Sequence, residues 1–374
     1  MSIIIGADIV PVDSNAELFA NGRIEELIGP ELQAIMDQAD YRIFNLEVPL
    51  TNHVKPIAKH GPNLFAPTAA IAGIKAMKID LLTLANNHIM DHDTQGLEST
   101  IDVLDKAKIA HVGADRNLQE AQKPYFFTVD GKRYGVYACA EHEFSIANEN
   151  KPGANPFDPL ESLDHIIQMK AQCDYAIVLY HGGKECYRYP SPYLQKSCRK
   201  MVEKGADLVV CQHSHCIGCE EKYLNGTIIY GQGNFLFDYK DNEYWNTSLL
   251  VQIEANGLIN YIPLAKKSCG VTLAKNKDAE EIMNAFRMRS KEIQKDGFIE
   301  EKFSAYAKEN MDSYIMYFSG KRTRFLFRAM NKLSGYRFQR VAAKHYIQKN
   351  RFALRNYIEC EDHRETVLKG LDLE

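Results

Sequence analysis

Residues 207–215 (DLVVCQHSH) form an apolar run that ends in two histidines, and this stretch decides the fold class. The same arrangement recurs in residues 2–9 (SIIIGADI), 41–47 (YRIFNLE), 80–88 (DLLTLANNH) and 174–181 (DYAIVLYH). Short runs rich in Ile, Val and Leu, separated by helix-length segments, are typical of buried strands in an α/β sheet. Because ligands collect beyond the carboxyl ends of such strands, the five runs predict one shared polar site.

The remaining periodicity predicts a second sheet and outer helices. Apolar spacing of three and four residues predicts helices over residues 15–38, 68–77 and 95–107. The segment 128–140 (TVDGKRYGVYACA) predicts a hairpin around Asp130-Gly131, and hence a partly antiparallel second sheet. Further strands are expected over residues 227–238, 248–254 and 258–262.

The residue types at the five strand ends are those that bind metal ions. Imidazole suits Zn, Fe, Ni and Cu, whereas carboxylate and amide oxygens add the harder character that Mn or Mg prefers. A mixed set of roughly six such groups is too large for one tetrahedral zinc and suits two ions. Two divalent ions about 3.5–4 Å apart can hold a phosphoryl-type oxygen and lower the pKa of a shared water. The pattern therefore predicts a dinuclear site for hydrolysis.

The order of seven motifs over roughly residues 1–270 resembles the CapA family of bacterial capsule or poly-γ-glutamate synthesis proteins. That family belongs to the calcineurin-like metallophosphoesterase superfamily. The motifs are GADIVP (6–11), NLEVPLT (45–51), GPNLFAP (61–67), LANNHIMD (84–91), HGGKE (181–185), QHSH (212–215) and GQGNFLFD (231–238). The fold that the resemblance implies is a four-layer α/β sandwich of two mixed sheets flanked by helices.

The resemblance also implies a ligand set and a catalytic group. Two divalent ions, Mn, Fe or Zn, would be held by Asp8, Glu47, Asn87, His181, His213 and His215. Glu47 would bridge the two ions. His88 would act as the general acid or orient the substrate oxyanion, and either Asp91 or Glu185 could hold its imidazole.

This chain departs from the superfamily pattern in its first motif. The usual motif is Asp-x-His, but Val10 stands where the histidine is expected. Valine cannot coordinate, so one ligand of the first metal is missing. Smaller departures are Ala7 before Asp8, where the family motif begins Gly-Asp, Glu47 in place of Asp, and Cys211-Gln212 in place of a glycine-led segment before the histidines.

Each polar residue also has an ordinary structural interpretation. A single Asp or Asn at a strand end is often a turn or helix-cap residue, and Asn87 and Asp91 are open to that interpretation. The pair His213 and His215 favours function more strongly, because alternate residues of an extended segment point the same way. Two adjacent imidazoles repel when protonated, so the pair is hard to explain by structure alone.

A loop rich in Pro and Gly carries the candidate substrate-binding residues. Within residues 55–67 (KPIAKHGPNLFAP), we expect Lys59, His60 and Asn63 to contact an anionic substrate. The alternative is an ordinary surface loop. In residues 216–219, Cys-Ile-Gly-Cys follows the histidine pair, and ordinary thiols are favoured over half of a zinc site because no second pair has suitable spacing.

The last hundred residues differ from the rest in charge. The expected division is a metallophosphoesterase-like domain over residues 1–275 and a helical basic extension over residues 276–374. Residues 321–358 contain eleven Lys and Arg and no Asp or Glu, whereas the other residues carry 34 basic against 49 acidic groups. The predicted amphipathic helices would either pack against the acidic domain or meet an anionic membrane or polymer. Nucleic acid is the least favoured partner, since no binding motif is recognisable.

The composition predicts a cytoplasmic protein. No apolar run approaches ~20 residues, so neither a signal peptide nor a transmembrane helix is expected. Nine cysteines without framework spacing predict reduced thiols.

Two functions remain open at this point. The first is a dinuclear metal-dependent hydrolase acting on a phosphorylated or otherwise anionic cell-envelope polymer or precursor. The second is a non-catalytic accessory protein that binds an anionic polymer during capsule or poly-γ-glutamate synthesis or export. The missing histidine at Val10 favours the second function, and the Asn87-His88 pair favours the first.

Overall fold

Two mixed β-sheets with outer helices form the larger part of the protein. The computed structural model describes residues 2–12, 14–238, 242–319 and 325–371. Its strands are β1 (Ser2–Val10), β2 (Tyr41–Leu46), β3 (Leu81–Thr83), β4 (Ala110–Val112), β5 (Ala114–Asp115), β6 (Tyr125–Val129), β7 (Lys132–Ala140), β8 (Gly153–Ala154), β9 (Tyr175–His181), β10 (Leu208–Gln212), β11 (Glu220–Tyr223), β12 (Gly226–Tyr230), β13 (Asn234–Phe237), β14 (Thr247–Glu254), β15 (Ile259–Lys267) and β16 (Gly270–Leu273). Its α-helices are α1 (Ala16–Ala20), α2 (Ile24–Ile28), α3 (Pro30–Gln38), α4 (Ile71–Ala76), α5 (Asp93–Ala107), α6 (Leu118–Ala121), α7 (Ser162–Lys170), α8 (Pro192–Glu203), α9 (Asn276–Glu292), α10 (Phe298–Phe318), α11 (Phe325–Leu333), α12 (Arg337–Glu359) and α13 (Glu361–Leu371).

The first sheet has eight strands and contains the amino-terminal strand near its centre. Seven strands follow the order β16, β15, β14, β1, β2, β3, β4, and β13 pairs with the carboxyl-terminal part of β1. The strands β1 to β4 are parallel, whereas β14, β15 and β16 pair in antiparallel fashion. Parallel strands are covered on both faces, which explains why residues 3–10 are all buried.

The second sheet has six strands in the order β11, β12, β10, β9, β7, β6. The predicted hairpin around Asp130-Gly131 joins β6 to β7, and both turn residues have positive φ. Alternate residues of β9 face different cores: Ile177 and Leu179 pack with the first sheet, while Val178 packs in the cluster that includes residues of α7 and α8. The predicted α/β class, with two mixed sheets flanked by helices, is confirmed.

The long helix predicted over residues 15–38 is wrong in one respect, because three short helices replace it. Gly22 and Gly29 adopt positive φ of 61° and 71°, which ends α1 and α2. Pro30 then begins α3, because its fixed φ suits the first helical turn. The apolar spacing continued across these breaks, so periodicity alone did not show them.

The chain divides into two compact units, Met1–Ile299 and Glu300–Glu374. Helix α9, which the sequence placed in the extension, packs within the first unit. Its Phe286 is buried against Leu249 and Ile217, and its Arg289 donates to the carbonyl of Gly218 at 2.7 Å. The division between the two compact units falls after Ile299, whereas the sequence-based division was placed after residue 275.

The second unit is helical, as predicted. Ile315, Met316 and Ala343 form its small buried cluster. The predicted apolar face of α11 is largely exposed: Leu326 is 75% and Leu333 88% accessible. Residues 321–324, which carry three of the eleven basic side chains, lie outside the described residues. Among the helices of the described ranges, none is long and apolar enough to cross a membrane.

Candidate metal centre

The carboxyl ends of strands from both sheets converge on one polar cluster. Asp8 lies in β1, Glu47 directly follows β2, and His181 is the last residue of β9. Asn87 lies in the turn after β3, and His213 and His215 follow β10. The structure thus brings together all six side chains that the resemblance implied as ligands: Asp8, Glu47, Asn87, His181, His213 and His215.

The cluster contains two overlapping groups that share Glu47. One consists of Asp8, Glu47 and His215, and the other of Glu47, His181 and His213; within each, the ligand atoms lie within 4.8 Å of one another. Nε2 of His181 is 3.3 Å from Oε1 of Glu47 and 3.0 Å from Oδ1 of Asn87. Each group could hold a metal ion, and Glu47 would contribute to both.

The carboxylates of this cluster are buried with little hydrogen bonding. Asp8 and Glu47 are both fully buried. Within the described part of the chain, neither oxygen of Glu47, nor Oδ2 of Asp8, nor Nδ1 of His213 has a hydrogen-bonding partner. A buried ionised carboxylate without partners is strongly unfavourable unless a cation compensates it. The residues present therefore fit a bound metal centre.

The pKa shifts also indicate that the buried carboxylates favour positive charge in this cluster. Burial opposes protonation of His215, but the neighbouring Glu47 and Asp8 outweigh it and raise the pKa of His215 to about 9. His181 behaves alike: burial alone would lower its pKa, but Glu47 and Asp8 outweigh the burial and raise the pKa above its usual value. Burial and the adjacent imidazoles lower the pKa of His213 well below its usual range. Divalent ions would replace the protons that the carboxylates now attract.

The histidine pair is positioned by a turn rather than by an extended segment. Strand β10 ends at Gln212, and His213 and His215 have φ of 81° and 52°. The extended geometry predicted for residues 213–215 is therefore wrong. The two rings nevertheless lie close together, with centroids 5.7 Å apart. Trp245 packs on the ring of His215 with a centroid distance of 4.8 Å.

His88 is held by Asp91. Nδ1 of His88 lies 2.5 Å from Oδ2 of Asp91, which also accepts from the backbone N–H of Leu64 at 2.7 Å. Lys59 binds the other oxygen of Asp91, and its side chain is only 2% exposed. Of the two residues considered for holding the imidazole, Asp91 therefore makes the contact. Asp91 and Lys59 therefore both lie at Nδ1, on one side of the ring.

Other predicted residues lie at the edge of the cluster. Glu185 is half-exposed and lies 4.0 Å from Nε2 of His213 rather than beside His88. Asn63 donates to the carbonyl of Ile57 at 3.0 Å, so it braces its own loop. His60 is exposed. Lys59 is engaged with Asp91 and is not presented to the surface as expected of a substrate-binding cation.

Three further residues belong to the cluster but were not predicted as site residues. Asn45 donates to Oδ1 of Asp8 at 2.8 Å, and Glu141 lies 3.4 Å from Nε2 of His213. Asn234 lies 2.8 Å from Nδ1 of His215. Each lies at or next to the end of a strand, so position at a strand end was the available signal.

The cysteines are ordinary thiols in this structure. All nine are free, and Cys216 and Cys219 are buried next to the histidine turn. Burial raises the pKa of Cys216 to about 11, which makes its thiolate scarce at neutral pH.

Comparison with solved structures finds distant likenesses. A hypothetical protein from Thermus thermophilus has a TM-score of 0.47 at 14% identity, with 71% of this chain and 100% of that chain covered. A phosphatase from Mycoplasma pneumoniae has a TM-score of 0.45 at 15% identity, with 72% and 94% covered.

Comparison of sequences finds relatives and a family. The capsule biosynthesis protein CapA of Bacillus anthracis is 30% identical over 212 residues, which cover 54% of this chain and 52% of that protein. The PGA biosynthesis protein CapA of Bacillus subtilis (strain 168) is 30% identical over 213 residues, which cover 55% and 56%. The chain thus spans about half the length of the curated relatives it matches. The family model described as Bacterial capsule synthesis protein PGA_cap matches residues 3–239. The chain therefore belongs to the PGA_cap family of bacterial capsule synthesis proteins, as its motif order predicts.

Proposed function

We propose that this protein is a dinuclear metal-dependent hydrolase that acts on an anionic capsule polymer or its phosphorylated precursor. The observation that carries the proposal is the buried Glu47, whose two oxygens lack hydrogen-bonding partners among the described residues and face imidazoles from the second sheet. A carboxylate kept in that state needs cations on both sides.

The ligand set divides between the two groups. Asp8, Glu47 and His215 would hold one ion, and Glu47, Asn87, His181 and His213 the other. Divalent ions such as Mn, Fe or Zn would supply Lewis acidity and a water acidified towards neutral pH. The side chains themselves fix the spacing of the ions and exclude bulk water, because all of them are buried.

His88 has the environment of a proton donor. Asp91 lies at Nδ1 and orients the ring, while Lys59 pairs with Asp91 and holds it in place. The protonated ring can then give its Nε2 proton to a leaving oxygen or bind the developing oxyanion.

The family supports an anionic substrate, and the charge that binds it would come from the proposed ions. The Bacillus relatives are named for capsule and PGA biosynthesis. Lys59 is occupied by Asp91, and Glu141 and Glu185 lie beside His213, so the ions are the main attraction for an anionic group.

A second candidate is an accessory protein that binds an anionic polymer without turnover. Val10 favours it, because this side chain is fully buried in the apolar core and gives the first ion no ligand. For either function we propose a cytoplasmic location, supported by the nine free thiols.

One experiment separates the two functions. Metal-loaded wild type and the His88→Asn variant are assayed on a phosphate ester, a γ-glutamyl peptide and a glycosyl phosphate. The hydrolase predicts metal-dependent turnover of one class that His88→Asn reduces. Metal binding without turnover of any of the three, together with metal-dependent binding of poly-γ-glutamate, would support the accessory protein instead.

A further inference from the structure

The group formed by Asp8, Glu47 and His215 is short of one ligand. The superfamily pattern places this ligand at position 10, but the side chain of Val10 packs in the apolar core. The backbone of Val10 pairs with that of Phe237. A substitute must therefore come from another element that reaches Asp8 and His215. The neighbouring strand β13 begins with such a residue, Asn234.

Asn234 is brought to Asp8 by strand pairing and two glycines. In the pairing of β1 with β13, Asp8 lies opposite Asn234. Gly231 and Gly233 precede it with φ of 114° and 77°. A Cβ at Gly231 would lie 2.6 Å from Oγ of Ser214, so this turn packs directly against the turn that carries both histidines. The close approach explains why glycine is required there.

The side-chain atoms meet as ligands of a common ion would. Oδ1 of Asn234 is 2.8 Å from Nδ1 of His215, and Oδ2 of Asp8 is 3.6 Å from the same nitrogen. Adjacent ligands of an octahedral ion with bonds of about 2.0–2.1 Å lie about 3 Å apart. The first separation matches that geometry and the second is somewhat longer, while Oδ2 of Asp8 has no hydrogen-bonding partner in the described ranges.

A hydrogen bond with His215 would engage only the oxygen of Asn234 and not its amide nitrogen. The residue is 5% exposed, and its Nδ2 has no hydrogen-bonding partner among the described residues. Asn45, the other amide of this region, is engaged differently: it donates to Asp8 and accepts from Thr83 and Asn86. A buried amide that is left half unsatisfied costs stability, which is expected where a side chain serves binding.

We propose that the carbonyl oxygen of Asn234 is a ligand of the ion held by Asp8, Glu47 and His215, in the place that Val10 leaves without a donor. The proposal rests on the metal centre proposed above. An amide oxygen is a harder ligand than the imidazole it replaces, so this site prefers Mn or Mg over Zn more strongly than the site with two imidazoles does.

The test measures metal binding rather than turnover. Metal-free wild type, Asn234→Leu and Asn234→Asp are titrated with Mn²⁺, and bound metal is measured by elemental analysis. Co²⁺ absorption spectra report the coordination number, and near-ultraviolet circular dichroism checks the fold. We expect two ions in wild type and Asn234→Asp, but one in Asn234→Leu. His213→Ala serves as the control that weakens the other site.

The outcomes are distinguishable. Two ions bound to Asn234→Leu with unchanged affinity would overturn the proposal. A loss of about 10–100-fold in affinity, with both ions and the Co²⁺ coordination number retained, would show that Asn234 only positions His215, and would also overturn it. If Asn234→Leu misfolds, Asn234→Asp decides: affinity at or above wild type supports a ligand, and a loss of about tenfold contradicts it. Wild type that binds no metal would overturn the proposed function itself.

Discussion

At the scale of single residues, the buried carboxylates of Asp91 and Glu47 differ in how their charge is compensated. Asp91 is fully buried but has Lys59, His88 and the backbone of Leu64 as partners. Glu47 is equally buried and has imidazoles nearby but no hydrogen bond from a described residue. Hydrogen bonds within the chain complete the first arrangement, whereas the proposed metal ions would complete the second.

The pair of Lys59 and Asp91 should contribute measurably to stability. Lys59→Met leaves Asp91 buried without its cation, so we expect the free energy of unfolding to fall by about 3–5 kcal/mol. The matched control is Lys55→Met, which breaks an exposed pair with Asp93, 60% and 40% accessible, and should cost no more than about 1 kcal/mol. Urea denaturation of the metal-loaded proteins measures both. Equal effects of the two substitutions would show that the buried Lys59–Asp91 pair stabilises the protein no more than the exposed Lys55–Asp93 pair does.

His88 should affect rate and not metal binding. Its contacts are with Asp91 and Lys59 rather than with the carboxylates of the cluster. His88→Asn should therefore lower kcat by about 10²–10⁴ while the metal content stays at the wild-type value. Loss of metal in this variant would place His88 among the ligands instead.

At the scale of elements, the strands were predictable and the breaks between short helices were not. Residues 176–181 are all buried, and a strand buried on both faces is recognisable in the sequence as a nearly unbroken apolar run. Residues 15–38 also keep a regular apolar spacing, but the positive φ of Gly22 and Gly29 interrupts the helix. The ligand side chains were predictable because they end strands. Asn234 and Asn45 were not, because their roles depend on which strands become neighbours.

Helix α9 should stabilise the first unit. Its Phe286 is 2% exposed and packs with Leu249 and Tyr261. Phe286→Ala should reduce the free energy of unfolding by about 3–5 kcal/mol through lost burial and the cavity left behind. Met288 on the same helix is 55% exposed, so Met288→Ala is the control and should change stability little. If thermal unfolding shows no difference between the variants, α9 does not pack on the first unit as described.

At the scale of the whole molecule, charge is separated along the chain. The segment 321–358 has eleven basic and no acidic residues, and the exposed Leu326, Leu333 and Val341 lie among the cations of its described part. Basic and apolar side chains together are typical of helices that lie on anionic membranes. The family match does not reach this segment, since it ends at residue 239.

This segment should give salt-sensitive binding to anionic surfaces. Each cation near a charged membrane contributes up to ~1 kcal/mol, and screening shortens its reach from about 10 Å at 0.1 M salt to about 3 Å at 1 M. A protein ending at Ser319 should lose co-sedimentation with anionic liposomes at low salt and keep its metal. Full-length Arg337→Gln/Arg340→Gln/Lys344→Gln should be weakened as well. Unchanged sedimentation of both, with a lower melting temperature of the shortened protein, would favour a structural brace.

The metal content of wild type beside Glu47→Gln tests the bridged centre most directly. We expect two divalent ions per wild-type chain and the loss of both from Glu47→Gln, because this carboxylate belongs to both groups. Glu185→Gln, which alters an acid that is 55% exposed at the edge of the cluster, is the control and should retain both ions. Two ions in Glu47→Gln, measured by elemental analysis after equilibration with Mn²⁺, would contradict the bridged centre.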